Sequence, residues 1–391
     1  MKIVFWIALF IVFYTYIGYG ILLYIIIRLK RLFVGRPHEA VLPADEELPT
    51  MTLMICAYNE EDIVKEKMAN TLALDYPKDK FRIMWVTDGS NDHTNELLAA
   101  YPEVDIVFSP ERRGKTAALK HGLRELKTRY VAFTDANTMI NTGALREIAR
   151  LFSDPTVGCV SGEKRVAARK AGEMASEGEG LYWRYESTLK RWDSELYSAM
   201  GAAGELYAID PQLCREVPDE ALLDDFMLSM YVVQAGKRIA YTSDAYAREY
   251  GSANIYEESK RKRRIAAGGL QSIWWLRSML NPLRQPLVTF QYVSHRVLRW
   301  SITPVAMVLL LIVNIALVAM GAGTFYTVML ILQTLFYLMA LAGWLTNRFG
   351  YKNKLLYTAY YFVFMNLNVF MGVHYLMTHS TSGAWEKAKR S

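Results

Sequence analysis

The sequence predicts a doubly wound α/β domain set between apolar helices that cross a membrane. Three observations carry this prediction: uncharged runs near both ends of the 391 residues, strand-helix alternation between them, and Asp residues where strands end. The composition agrees, with 52% hydrophobic, 13% aromatic and 21% charged residues and a net charge of +6, which excludes a disordered or fibrous chain. Cys56, Cys159 and Cys214 lie far apart without metal-ligand spacing, so neither a disulfide framework nor a zinc site is signalled, and a reducing compartment is the simpler expectation.

No charged residue falls between Ile3 and Ile27, a run that at about 1.5 Å per residue exceeds the ~30 Å hydrocarbon core. A cleaved signal peptide fits less well, because its apolar region is shorter and ends in small residues. Arg28, Lys30, Arg31 and Arg36 follow this run against Lys2 before it, which orients the next domain to the cytoplasm. Trp300 to Asn347 carries no Asp, Glu, Lys or Arg, enough for two crossings with a turn near Gly321–Thr324. The basic loop at Arg348, Lys352 and Lys354 precedes a third apolar run, from Leu355 to about Met377.

The segment 268–300 mixes Trp274, Trp275, Phe290 and Tyr292 with Arg277, Arg284, His295, Arg296 and Arg299, as expected of amphipathic helices on the inner leaflet, although a surface helix pair fits the same pattern. The expected division is then 1–30 for the N-terminal transmembrane helix, 31–48 for a linker and 49–267 for the cytoplasmic α/β domain. Interfacial helices follow at 268–300, about three transmembrane helices at 301–378 and a basic tail at 379–391. An odd number of C-terminal crossings carries that tail outside, whereas its Lys and Arg residues favour the inside.

In the middle region, Met51–Ala57, Arg82–Asp88, Val104–Phe108 and Tyr130–Asp135 read as buried parallel strands. Helical patterns separate them at Glu60–Leu72, His93–Ala100, Gly114–Leu126 and Thr142–Phe152, with Ser90 and Asn91 as candidate caps for the second. Ligands of such sheets bind beyond the carboxyl ends of the strands, where Asp88 and Asp135 stand. No GxGxxG or GxxxxGK pattern is present, which disfavours a dinucleotide site and a P-loop.

Asp135 and Asn137 are oxygen donors two residues apart, able to present hard ligands to Mg2+ or Mn2+, although Asp-x-Asn also suits a plain turn. Asp224 and Asp225 open a predicted helix, Asp225–Gln234, where they could cap it or where one could act as a general base. The basic run Lys260–Arg264 suits anionic lipid headgroups, or places Arg264 on a nucleotide diphosphate; a nucleic-acid patch fits less well beside interfacial Trp residues. The six His, at 38, 93, 121, 295, 374 and 379, show no metal-like clustering and read as structural or solvent-facing.

The order of these pieces resembles the membrane-bound family 2 glycosyltransferases, over most of the chain. Ala57-Tyr58-Asn59-Glu60-Glu61 is similar to the family's opening nucleotide-binding turn and Thr87-Asp88-Gly89-Ser90 to its second; Arg113-Gly114-Lys115 resembles the segment that follows. Asp135-Ala136-Asn137 resembles the metal-binding Asp-x-Asp element, Gly204-Glu205-Leu206 the acceptor-side loop, and Asp224-Asp225 the acidic pair containing the base. The resemblance implies a GT-A fold and an inverting transferase in which Ala57, Tyr58, Glu60, Asp88, Lys115 and Asp135 bind a nucleotide-diphosphate sugar, UDP rather than GDP. It also implies a divalent cation on Asp135 and Asn137, an acceptor contact at Gly204, Glu205 and Leu206, and a catalytic set of Asp225 as base with Asp224 and Arg264. The transferred unit would be a hexosyl or N-acetylhexosaminyl group, the acceptor a lipid-linked sugar or glycan at the cytoplasmic membrane face.

Chain-polymerising members carry Gln-x-x-Arg-Trp, and here the corresponding positions are Arg261, Arg264 and Ile265. Loss of the aromatic removes a sugar-stacking surface, so addition of a single sugar is expected rather than processive synthesis. A processive polysaccharide synthase, of hyaluronan, poly-N-acetylglucosamine or cellulose type, is the alternative. A catalytically silent scaffold has no chemical need for Asp88, Asp135, Asp225 and Arg264 in this order. A nucleotidyltransferase leaves the membrane helices and the acidic pair unexplained.

Overall fold

A computed structural model describes residues 1–35, 41–167, 174–250, 255–349, 351 and 353–378. The basic tail 379–391, linker residues 36–40 and Lys352 lie outside the described residues.

The four expected strands form as β1 (Met51–Ala57), β2 (Phe81–Asp88), β3 (Val104–Ser109) and β4 (Tyr130–Asp135), all parallel. Both faces of β1 are covered, as a continuous apolar strand requires. Leu53 and Ile55 pack with Trp85, Leu145 and Ile148 on one face, and Met54 packs with Met84, Val86, Phe133 and Leu119 on the other. Beyond β4 the sheet becomes mixed, through β5 (Met139–Ile140), β6 (Val157–Ala167), β7 (Tyr207–Ile209) and β8 (Arg238–Tyr250), in the order β3-β2-β1-β4-β7-β6-β8-β5. The short β7 runs antiparallel to both β4 and β6, so the second half of the sheet is not the doubly wound pattern of the first.

The intervening helices are Val64–Leu72, Thr94–Ala99, Lys115–Arg124 and Ala144–Phe152. Ser90 and Asn91 do not cap the second of these. Asp92 Oδ1 accepts from Thr94 N there, while Ser90 and Asn91 bond to Asn59 across the neighbouring turn.

Among the described residues, four helical runs are long and apolar enough to cross a membrane: Lys2–Val34, Pro286–Ala319, Thr324–Arg348 and Lys354–Thr378. The first packs Phe5 and Ala8 against Ala306, Leu310, Leu317 and Tyr326, then Tyr19, Leu23 and Ile27 against Leu189 of the helix Met174–Leu196. The structure redraws the 268–300 segment. The helix Ile255–Trp275 crosses the expected boundary at 267, and residues 286–300 are the first half of a helical run that continues to Ala319, π-wound over Val293–Ile302. His295, Arg296 and Arg299 are buried, because Glu186 and Asp193 of the helix Met174–Leu196 take them up as ion-pair partners. Trp274 is 67% exposed and Leu283 92% exposed.

Candidate active site

The register of the parallel strands brings three of the expected turns together. Ala57 lies beside Thr87, and Cys56 beside Asp135, so the chain leaves β1, β2 and β4 at one edge of the sheet. At the β1 exit Asn59 adopts a left-handed backbone, φ 52°, and its side chain exchanges bonds with Asn91 at 2.7 and 3.0 Å. Glu60 N donates to Thr94 Oγ1 at 2.9 Å, and the Arg112 guanidinium stacks 3.9 Å from the centre of the Tyr58 ring. Asp88 is buried, and its carboxylate accepts from Arg113 N at 2.9 and 3.1 Å and from Gly114 N at 2.6 Å. Gly89, with φ 67°, is required: a Cβ there would stand 2.6 Å from Arg112 N. Asp88 also lines a cavity of about 440 Å³ with Ser109, Arg113, Lys120 and His121.

Lys115, the first residue of its helix, donates to Asp135 Oδ1 at 2.7 Å. Burial works against its charge, but Asp135, Asp224 and Asp225 together hold its pKa above the usual lysine range. The turn after β4 is fixed from beneath by Lys67, which donates to Thr138 O at 2.6 Å and to Thr134 Oγ1 at 3.2 Å; burial pulls this lysine down to about 7. Thr134 in turn donates to Glu205 O at 2.9 Å, tying the Asp135 strand to the Gly204-Glu205 loop.

Asp224 and Asp225 are the first residues of the helix Asp224–Gln234. Asp224 Oδ2 is buried and makes no hydrogen bond among the described residues, while Asp225 Oδ1 accepts from Phe226 N at 2.8 Å. Gly204 abuts the other oxygen, since a Cβ there would stand 2.7 Å from Asp225 Oδ2. Burial, then the Asp224 charge, pushes Asp225 up to about 6, with Lys115 opposing. Such a carboxylate exchanges a proton near neutral pH, which a simple helix cap has no reason to do.

The remaining expectations are placed less evenly. Glu205 pairs with Lys164, which brings it down to about 2 against burial, and Lys164 also pairs with Glu249. Leu206 is 1% exposed and packs in the core, so only its backbone borders the loop. Arg264 lies on the helix Ile255–Trp275, with a buried Nε that makes no hydrogen bond among the described residues. Of the four cations before it, three pair with carboxylates, Lys260 with Glu257, Arg261 with Glu258 and Glu249, and Lys262 with Glu258, while Arg263 donates to Ser259 O. Sequence reasoning missed Lys67, Lys164 and Glu249; Lys164 sits between Glu163 and Arg165 in the strand Val157–Ala167, so no local pattern marks it out.

Asp135 and Asn137 leave the same strand end, but no group of three or more His, Cys, Asp or Glu side chains is spaced to hold a metal ion among the described residues. A hard cation held by one carboxylate and one amide draws its other ligands from substrate phosphates and water, as Mg2+ does. The attraction of Lys115 to Asp135, Asp224 and Asp225 shows that this end of the sheet favours positive charge. The donor set fits a cation on those terms.

The Glycosyl transferase family 2 model matches residues 52–209. Among curated proteins, the chain is 35% identical over 125 residues to a poly-beta-1,6-N-acetyl-D-glucosamine synthase of Staphylococcus aureus, covering 31% of this chain and 30% of that one. It is 25% identical over 259 residues to a beta-monoglucosyldiacylglycerol synthase of Synechocystis, covering 62% and 53%. The chain thus spans less than a third of the first relative and about half of the second. Among solved structures, a mannosyltransferase from Pyrobaculum calidifontis, in complex with GDP-Man and Mn2+, superposes with a TM-score of 0.69 at 21% identity over 96% of this chain and 99% of that one, which shows a shared fold. Residues 52–209 thus match the family 2 glycosyltransferase model, within a GT-A fold joined to helices long and apolar enough to cross a membrane.

Proposed function

We propose that the chain transfers one sugar, with inversion, from a nucleotide-diphosphate sugar, UDP-linked by family resemblance, to a lipid-linked or glycan acceptor at the cytoplasmic face of a membrane. The observation that carries this reading is Asp225, a carboxyl pushed up to about 6, set against Gly204 and within the field of Lys115 and Asp224. Asp225 takes the acceptor hydroxyl proton as that oxygen bonds to the anomeric carbon. The bond from that carbon to the phosphate oxygen breaks, and its electrons leave with the nucleoside diphosphate. Lys115 and Arg264 hold the charge that develops there. Asp88, with the Ala57-Tyr58 turn and Glu60, holds the nucleotide; Asp224 keeps the proton affinity of Asp225 high; Gly204 and Glu205 border the acceptor. Asp135 and Asn137 would hold a Mg2+ or Mn2+ ion, which neutralises a diphosphate when bound.

The similarity to a poly-N-acetylglucosamine synthase supports a second reading, processive synthesis. Ile265, where polymerising members carry Trp, and the similarity to a glucosyldiacylglycerol synthase support single addition. Product length on a gel separates the two.

The test of the transferase reading is Asp225→Asn. Transfer is expected to fall by about 10²–10⁴-fold, the range of general base catalysis, while stabilisation of the detergent-purified protein by its nucleotide diphosphate persists. Undiminished transfer in Asp225→Asn removes the base role.

A further inference from the structure

The helix Lys354–Thr378 is long enough to cross a membrane, but it is the least apolar of the four runs that are, and its buried residues include Tyr361, Asn366, Asn368 and Gly372. Asn366 stands at the midpoint of the helix and accepts from Tyr16 at 2.6 Å. Tyr16 lies about one turn before Tyr19, where the first helical run reaches a layer of buried ions. There Tyr19 donates to Asp193, Asp193 pairs with His295, and Glu186 pairs with Arg296 and Arg299. The apolar contacts of the first run lie on the other side of Tyr16, where Phe5 and Ala8 meet Ala306, Leu310 and Leu317. A crossing helix carries its midpoint near the bilayer centre, about 15 Å from either edge of the hydrocarbon core. The midpoint of Lys354–Thr378 is instead tied to the charged layer.

The neighbour of this helix points the same way. Ile255–Trp275 runs beside it in the same direction: Tyr361 donates to Glu258 at 3.2 Å, Lys262 Nζ lies 6.0 Å from the Tyr361 ring centre, and Asn368 accepts from Ser259 at 3.2 Å. Further along, a Cβ on Gly372 would stand 2.8 Å from Ala267 N. Residues 257–264 of the neighbour include seven charged side chains, Glu257, Glu258, Lys260, Arg261, Lys262, Arg263 and Arg264, too many to place in hydrocarbon. That helix belongs to the α/β domain, with Arg261 3.9 Å from Glu249 of β8 and Gly268 abutting Leu222 and Leu223 just before the acidic pair. A helix packed lengthwise on it shares its depth, whereas a crossing helix would touch it at one point.

The opposite face of Lys354–Thr378 is apolar, with Leu367, Phe370, Met371 and Met377 exposed. A helix whose polar face is taken up by a charged neighbour and whose other face is apolar fits the boundary between headgroups and acyl chains, its axis in the membrane plane. Basic residues flank it on both sides, Arg348, Lys352 and Lys354 before and Lys387, Lys389 and Arg390 after, as expected where both flanks face inward. We propose that Lys354–Thr378 does not cross the membrane. Its face of Leu367, Phe370, Met371 and Met377 rests on the acyl boundary of the leaflet nearest the α/β domain, so the chain crosses three times and the tail 379–391 shares a side with that domain. The conflict between an odd number of C-terminal crossings and a basic tail then disappears. The inference rests on the proposed function only for the name of that side, the cytoplasm.

The experiment adds single cysteines to the full chain: Met320→Cys between two crossing helices, Glu103→Cys in the α/β domain and Ser382→Cys in the tail. The parent chain is the blank for Cys56, Cys159 and Cys214. A membrane-impermeant maleimide is applied to intact and to permeabilised cells. Met320→Cys is expected to label in intact cells, and Glu103→Cys and Ser382→Cys only after permeabilisation. Labelling of Ser382→Cys in intact cells together with Met320→Cys overturns the proposal. If Glu103→Cys and Ser382→Cys both label in intact cells and Met320→Cys does not, the cytoplasmic placement in the proposed function falls while the helix placement stands. Depth is read separately, from nitroxides attached at Leu355→Cys, Leu367→Cys and Met377→Cys in lipid vesicles. All three are expected within about 10 Å of the headgroup level. A Leu367→Cys nitroxide near the middle of the ~30 Å core, with the other two shallow, overturns the proposal whichever side the tail takes. Nitroxides out of contact with lipid, as under a second copy of the chain, overturn it too.

Discussion

The edge proposed to hold the donor and the edge proposed to face the acceptor secure their carboxylates by different means. Asp88, after β2, is held by backbone N–H groups of Arg113 and Gly114, and the turn after β1 is laced to the next by Asn59, Ser90 and Asn91. Glu205 and Glu249, on the other side of β4, are held by a side chain, the Lys164 ammonium, with Arg261 3.9 Å from Glu249. Backbone donors belong to local turns and survive most substitutions nearby. One ammonium shared between the half-buried Glu205 and the buried Glu249 serves two charges at once. The donor edge should therefore tolerate loss of one side chain, and the acceptor edge should not.

The largest expected effect tests that difference directly. Lys164→Met takes from Glu205 and Glu249 the cation they share and is expected to cost about 3–5 kcal/mol, seen as a lowered thermal midpoint. A midpoint within a degree of the parent would show that Arg261 suffices, and the contrast between the two edges would fail.

Gly204→Ala separates stability from chemistry on the acceptor side. The nearest atoms to the added methyl all belong to the Asp225 side chain, with its terminal Oδ2 at 2.7 Å, so the thermal midpoint should change little. Displacing a base by a fraction of an ångström to an ångström is expected to lower kcat by up to about a hundredfold. Unchanged kcat would place the acceptor oxygen elsewhere than beside Gly204. On the donor side, Asp88→Asn keeps one carbonyl acceptor but turns an NH2 towards backbone N–H donors. Loss of a charged acceptor is worth about 1.5–3 kcal/mol locally, and the expected result is a roughly tenfold weaker nucleotide with a nearly parental kcat at saturation. A collapse of thermal stability in Asp88→Asn would mean the donor edge is as brittle as the acceptor edge.

The same contrast explains what could be read from the sequence. Strands Met51–Ala57 and Tyr130–Asp135 were legible to the residue because a parallel strand covered on both faces is a continuous apolar run, and its exit turn carries its own chemistry within a few residues. The antiparallel insertion of Tyr207–Ile209 was not, because three apolar residues carry no period. Nor could the Lys164–Glu205–Glu249 pairing be seen, since its members are 41 and 85 residues apart and only the fold brings them together. Arg296 and Arg299 look like lipid-facing cations in sequence, because Glu186 lies more than 100 residues before them.

The last expected effect is a titration, and it divides two carboxyls on the proposed acceptor side, Asp225 and Glu205. Asp225 is raised from the ordinary carboxylate value to about 6, first by burial and then by Asp224. A base must be ionised, so kcat is expected to fall about tenfold for each pH unit below about 6 and to level off above it. The stability consequence has the opposite sign. The folded chain holds this proton more tightly than the unfolded one, so between roughly pH 4 and 6 stability from this group increases as pH falls. Glu205 runs the other way: lowered to about 2 by Lys164 against burial, its contribution is present above the unfolded carboxylate range and is lost as pH falls through about 2. Thermal midpoints and kcat measured across pH 4–8 should therefore move in opposite directions through the window near 6, and Asp225→Asn should remove both the stability slope and the remaining rate dependence. A rate limb near 6 that persists in the residual activity of Asp225→Asn, or appears in nucleotide binding instead, assigns the titration to another group and moves the pH control to the donor edge.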